Sequence, residues 1–400
     1  MAAFEDTVKA STKGKNPDVL SAVFLAVDRD GKKIIDQASG KTKLNGDAKA
    51  ADKDTIFRLA SCTKLITTVA ALRLVQAGQI ALDDAEIIKK HLPELYNLDV
   101  LTSAPGEPFT YEKRRNGITL RQLLTHSSGV GYDMIDPRLQ AWRRERGERP
   151  LALSGPIVEA FSTPLLFEPG EGWAYGGGLD WVSLLISRIS GQSFGNFLQK
   201  EVFDVTGCDD KIGFWEEDLV KVGDMGQIVT KTKDGNAFKK FPVQPAKAEL
   251  GGGGLFSSSA NFVKILQGLV SKKSKLLNED MLKELWRPQF EAGSKSLQAL
   301  RASAPVFASM TGALTSSLNP ETLNYALGGI LLTEDDAVLG KTSGTMSWGG
   351  AFNCLWFANR EQGLAGFYGS SMYPPGERKS SELIGEFVKE VWRRVGEKEA

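Results

Sequence analysis

Arg58-Leu-Ala-Ser61-Cys-Thr-Lys64 sets a serine hydroxyl three residues ahead of a lysine amine. Before it, Thr55-Ile-Phe-Arg-Leu59 reads as a short strand. After it, apolar residues recur at Leu65, Ile66, Val69, Leu72, Leu74 and Val75 until Gly78. That spacing predicts a helix starting near Ser61 and stopped by the glycine. Residues three apart share one helix face, so Ser61 Oγ and Lys64 Nζ can meet. A serine hydroxyl is a weak nucleophile unless a base lies beside it. Lysine can be that base where burial or nearby positive charge favours its neutral form. The positive end of the helix also favours an alkoxide at its first turn.

The rest of the chain limits the alternatives. Only His91 and His126 could serve a Ser-His-Asp triad, and the chain has no Gly-x-Ser-x-Gly turn. His126, within Leu124-Thr-His-Ser-Ser-Gly129, reads as a structural side chain pinning a loop to a helix end. His91, within Lys-Lys-His-Leu-Pro, reads as a surface or capping residue. No His/Cys spacing makes a zinc site. Gly251 to Gly254 is no phosphate loop, because no Gly-Lys-Ser/Thr follows it. Neither a metal nor a cofactor is expected. Trp173-Ala-Tyr175-Gly-Gly-Gly178 supplies a phenol on a glycine-rich turn, and a phenol near a lysine ammonium can take a serine proton. The same tyrosine would also suit a packed ring with its hydroxyl satisfied.

At 400 residues the chain calls for two domains, or one domain with a large insertion. Lys+Arg and Asp+Glu both total 49, so charge makes no case for nucleic acid or an anionic membrane. Cys62, Cys208 and Cys354 are odd in number and widely spaced, which suits reduced thiols, with Cys62 as a small packing residue. Met1-Ala-Ala-Phe-Glu-Asp lacks a basic-then-apolar export pattern, and no apolar run approaches membrane-spanning length. The expectation is a cytoplasmic protein.

Val23-Phe-Leu-Ala-Val27, the turn Asp28-Arg-Asp-Gly31 and Lys33-Ile-Ile-Asp36 read as a hairpin. From about 84 to 250 the pattern is mainly helical. It includes a Thr119-capped helix that ends near Ser127-Ser-Gly129, and a helix from Leu179 to Ile189 closed by Gly191. Strand signals resume at Ala326–Leu332, Phe352–Phe357 and Leu364–Tyr368, and an amphipathic helix spans Ser381 to Val395. The expected architecture is therefore an α/β domain built from 1–83 and 251–400, with 84–250 as a mainly helical insertion.

Ser61-Cys-Thr-Lys64, Tyr175-Gly-Gly and Trp348-Gly-Gly350 occur in the order and spacing of the class C β-lactamase-like serine hydrolases, which the chain resembles. Leu82-Asp-Asp84, Leu123 to Gly129, Glu168-Pro-Gly170 and Gly251 to Leu255 are similar to that group as well. Within it, Arg58-Leu-Ala-Ser, Lys113 to Arg121, Gly178-Leu-Asp-Trp181 and Leu327-Gly-Gly-Ile330 resemble the fungal lovastatin-type polyketide acyltransferases. The resemblance implies an antiparallel sheet flanked by helices. It also implies a serine acyl-enzyme formed from a thioester or ester and passed to an alcohol. Ser61 would be the nucleophile, Lys64 its base and Tyr175 a proton shuttle. The amides of Ser61 and Ala351 would hold the oxyanion. Where lactamases carry Tyr-x-Asn and Lys-Thr-Gly, this chain has Tyr175-Gly-Gly and Trp348-Gly-Gly, which favours neutral esters or thioesters over β-lactams. Lys341-Thr-Ser-Gly344 reads as a loop before the relevant strand.

Aromatic residues suggest an acyl pocket with Tyr132, Trp142, Trp173, Trp348 and Phe352 as walls, while Trp181 reads as core. Arg58, Gly349 and Gly350 complete the expected substrate contacts. The partners implied are a small-molecule acyl acceptor and an acyl thioester or ester donor, with an acyl carrier protein as a possible deliverer. A carboxylesterase using the same acyl-enzyme is the nearest alternative. A β-lactamase, or a non-catalytic binding protein on the same fold, would be the others.

Overall fold

A computed structural model describes residues 3–311 and 318–399; Met1 and Ala2 of the N-terminal stretch lie outside it. Its centre is a seven-stranded antiparallel sheet. The N-terminal hairpin contributes β1 (Ser21–Asp28) and β2 (Lys33–Gly40). A small separate sheet holds β3 (Ile56–Arg58) against β4 (Phe256–Ser258). The C-terminal part contributes β5 (Leu323–Tyr325), β6 (Ile330–Leu332), β7 (Thr345–Gly349), β8 (Leu355–Asn359) and β9 (Leu364–Gly369). In the large sheet the order is β5-β6-β7-β8-β9-β1-β2, so the two ends of the chain meet where β1 pairs with β9, Phe24 opposite Tyr368.

β1 is buried on both faces, which is why Ser21-Ala-Val-Phe-Leu-Ala-Val27 reads as a continuous apolar run instead of an alternation. Val23, Leu25 and Val27 enter one core; Ala22, Phe24 and Ala26 enter another. The second core is covered by α1 (Phe4–Thr12) and the C-terminal helix, whose Phe4, Phe387 and Trp392 pack against it. The first core is filled by α2 (Thr63–Gln76), in which every residue from Thr63 to Leu72 is buried. A helix buried all round belongs in the middle of a molecule.

Residues 84–250 form short helices and small strands around α3 (Leu120–Leu124) and α4 (Gly178–Ser190). Thr119 caps α3 with a full capping box. Gly191 ends α4 at φ +68°. The C-terminal helix, α5, spans Arg378–Glu399. Among the described residues no helix is long and apolar enough to cross a membrane.

Two predicted strands are cut differently. Ala326–Leu332 is not one strand: Ala326 N–H donates to Gly329 O at 2.9 Å, turning the chain between β5 and β6. There is no room at Gly328 for a side chain, since a Cβ would lie 2.7 Å from Leu65 Cδ1 on α2. Phe352–Cys354 is likewise a turn, and β8 starts only at Leu355. Asn353 holds that turn at φ +62°, its N–H donating to Gly350 O and its Nδ2 to the carbonyls of Met372 and Pro374.

Candidate active site

Ser61 sits in a single 3₁₀ turn, Ala60–Cys62, that leads into α2. Ala60 holds φ +45°, a conformation that L residues avoid and that marks strain at the serine turn. One helical turn later Lys64 is buried, and its Nζ donates to Gly252 O at 2.6 Å, Tyr132 OH at 3.1 Å and Ser61 Oγ at 3.4 Å.

Tyr175 reaches the serine from the helical side, its hydroxyl donating to Ser61 Oγ at 2.5 Å. The turn that carries it is clamped on both sides by His126. Ala174 N–H donates to His126 O at 3.0 Å, and Gly176 N–H donates to His126 Nδ1 at 3.4 Å. The glycines that follow permit close packing: a Cβ at Gly176 would lie 2.0 Å from Val130 O, and one at Gly178 would lie 2.5 Å from Leu123 O. Lys64 Nζ lies 4.7 Å from the Tyr175 ring centre, and Trp348 Nε1–H donates to the Tyr175 oxygen at 3.4 Å. Burial, together with the charge of Lys64, pushes the His126 pKa well below the usual histidine value. The imidazole is therefore neutral, and it packs behind Tyr175 at 4.8 Å between ring centres. His126 thus has the pinning role that its sequence position suggests.

The residue that sequence reasoning missed is Asp180, in the first turn of α4. It is fully buried, accepting from Gly252 N–H at 2.8 Å and from Tyr132 OH at 3.1 Å. Burial raises its carboxyl above the ordinary aspartate value, while Lys64, the Gly252 amide and the Tyr132 hydroxyl act to keep it charged. Tyr132 is pushed the same way by burial and by the Asp180 charge, so its phenol keeps its proton. Asp180, Tyr132 and Gly252 thus form a polar bed for the lysine. The glycine is obligatory, because a Cβ there would lie 2.3 Å from Asp180 Oδ2 and 2.6 Å from Tyr132 OH.

β7 runs past the serine turn at contact distance. A Cβ on Gly350 would lie 2.2 Å from Leu59 O and 3.4 Å from Ala60 Cβ. Ala351, the next residue, packs against a small cluster of Ala60, Ile228 and Phe352. Neither the Ser61 nor the Ala351 N–H donates to a protein acceptor among the described residues. An amide without a protein acceptor is free to donate to a developing oxyanion.

Other predicted contacts fall in different places. Trp348, on β7, is buried against Tyr175, and Gly349 pairs with Leu355. Phe352 joins a small cluster with Ala60 and Ile228 beside the serine turn. Arg58 does not join the centre: its guanidinium pairs with Glu216 at 2.9 Å and lies 4.4 Å over the Phe256 ring. Trp173 is one layer back, packed edge-on against His126 and Phe307. Trp142 donates to Tyr111 OH at the surface, and Trp181 is core. Lys341 belongs to the loop before β7, 3.6 Å from Asp336.

The chain also matches known proteins over most of its length. The chain is 29% identical to the acyltransferase calJ of Penicillium decumbens, covering 98% of each. It is 33% identical to the lovastatin esterase of Penicillium rubens over 86% of this chain and 87% of the relative. A mutant of the simvastatin synthase from Aspergillus terreus superposes with a TM-score of 0.85 at 24% identity, covering 98% of this chain and 95% of that one, a likeness of fold. The family model described as Beta-lactamase matches residues 14–386. With fold, serine turn and family match in agreement, the chain belongs to the beta-lactamase family and is an enzyme of that superfamily.

Proposed function

We propose that this enzyme is a serine acyltransferase that takes an acyl group from a thioester or ester and passes it to an alcohol of a small polyketide-type metabolite. The observation that carries the reading is the Ser61 hydroxyl itself. It lies 2.5 Å from Tyr175 OH and 3.4 Å from Lys64 Nζ. The acyltransferase and esterase names of the curated relatives support the substrate class.

Of the two groups that reach Ser61, Tyr175 OH lies at 2.5 Å and Lys64 Nζ at 3.4 Å. In the forward step the Ser61 proton passes into the Tyr175–Lys64 pair, with Lys64 as the base and Tyr175 as the shuttle. Ser61 Oγ bonds to the acyl carbon, and the amides of Ser61 and Ala351 hold the oxyanion. The leaving thiolate or alkoxide departs with the proton from Tyr175. The acceptor hydroxyl then repeats the sequence in reverse and releases the new ester. Trp348, Gly349, Gly350, Phe352 and Tyr132 surround this path. No metal or cofactor enters it.

Hydrolysis of the same acyl-enzyme is the second reading, favoured by the 33% identity to an esterase. The two differ only in what attacks the acyl-enzyme, water or an alcohol. The deciding experiment follows product partition from one acyl-thioester donor as a competing polycyclic alcohol is titrated in. Ester that rises in proportion to the alcohol, at the expense of free acid, is the expected result. Free acid alone at saturating alcohol would make the enzyme an esterase. A cytoplasmic location and delivery of the acyl group by a carrier protein are parts of the same proposal.

A further inference from the structure

The helical side of the cleft carries one conformationally costly residue. Leu153 has φ +73°, in the left-handed region where a leucine Cβ crowds its own backbone. The turn around it is pinned from both ends. The N–H groups of Leu151 and Ala152 donate to Asp133 Oδ2 and Oδ1 at 3.0 and 3.2 Å. Asp133 is buried and also accepts from Arg143 Nε at 2.9 Å, while Arg143 Nη2 donates to the carbonyls of Glu159 and Ala160. On the far side, the N–H groups of Ser154 and Gly155 both close on Leu151 O. A turn bonded this way leaves Leu153 no softer conformation, and its side chain is 37% exposed.

That side chain faces the serine turn. A Cβ built on Gly253 would lie 3.4 Å from Leu153 Cδ2 and 3.7 Å from the Ala60 carbonyl carbon. Leu153 and the residue before Ser61 therefore both flank Gly253, whose neighbour Gly252 holds Lys64. Glycine would suit this backbone better than leucine. An exposed isobutyl group also gains little from burial. Strained non-glycine residues of this kind cluster at ligand clamps, where the surrounding structure holds them for use.

We propose that Leu153 is a specificity-determining residue whose isobutyl group walls the Gly253 side of the Ser61 cleft and limits the bulk of the ester admitted. The proposal rests on Ser61 as the nucleophile. The test measures kcat/KM for two series of esters with wild type, Leu153→Gly, Leu153→Ala and Leu153→Phe. One series varies the acyl group of p-nitrophenyl esters from acetyl to octanoyl; the other varies the alcohol of acetate esters from methyl to bicyclic. The bulky-to-small ratio should rise about tenfold in Leu153→Gly and fall in Leu153→Phe, in at least one series, which also identifies the half of the ester that the leucine meets. Leu153→Gly should keep or raise Tm, because glycine accepts the turn. A ratio at the wild-type value in both series, or an equal loss for every ester, would overturn the proposal while leaving Ser61 in place. A wild-type enzyme inactive on every ester would instead remove the Ser61 reading, and this proposal with it.

Discussion

At the scale of single residues, the site is a chain of short polar contacts ending on one hydroxyl. Tyr175→Phe deletes the group 2.5 Å from Ser61 Oγ without disturbing the packing of the ring, so acylation should fall about 10²–10⁴-fold in pre-steady-state bursts while the fold persists. An acylation rate near wild type would take proton transfer away from Tyr175. Asp180→Asn keeps an acceptor for Gly252 N–H but removes the carboxylate charge near Lys64. It should slow acylation by at least about tenfold, comparable to one buried hydrogen bond of about 1–3 kcal/mol, with KM little changed. A change in KM alone would assign Asp180 to substrate binding. Ser61 and Lys64 could be read from the sequence because their meeting needs only helix geometry. Asp180 could not, since its partners Tyr132 and Gly252 are 48 and 72 residues away. Its one sequence signal is a carboxylate between Leu179 and Trp181, in the otherwise apolar first turn of the helix.

Among elements, the decisive relation is between β7 and the serine turn. Gly350 lets the strand end touch Leu59, just before the turn that carries Ser61, and Ala351 follows it in the chain. Gly350→Ala puts a Cβ 2.2 Å from Leu59 O, a backbone atom that cannot swing aside. The variant should lose about 1–3 kcal/mol of stability in denaturant melts, and acyl transfer should suffer beyond that loss. Stability and rate both at wild-type values would show that the contact does not set the amide. The same element shows how far periodicity reads. The apolar runs that became β1, α2 and β9 are long and buried on both faces, and the sequence marks them clearly. The turns at Ala326–Gly329 and Phe352–Cys354 are also apolar, and they bend because of contacts with α2 and with residues 372–374 that no local pattern displays.

Across the whole molecule, the helical region is tied to the C-terminal half by Arg121. From α3 it donates to both oxygens of Asp83 at 2.7 Å, to Gln289 Oε1 at 2.6 Å and to Glu284. Burial would raise the Glu284 pKa, yet hydrogen bonds from Arg287 and Arg121 hold it down at about 2. A carboxylate with a lowered folded-state pKa stabilises the fold above its unfolded value, and that contribution is lost as pH falls through the folded one. Thermal melts between about pH 5 and pH 2 should therefore show falling Tm, with a shallower fall in Arg121→Ala; identical slopes would mean that the arginine does not carry the linkage. All of this framework serves one serine. The most direct test is intact-protein and peptide mass spectrometry after mixing the enzyme with an acyl thioester and no acceptor. The account predicts one acyl group per chain, located on Ser61 and absent from Ser61→Ala. An unmodified Ser61 in an enzyme that still turns over, or an acyl group on another residue, would contradict it.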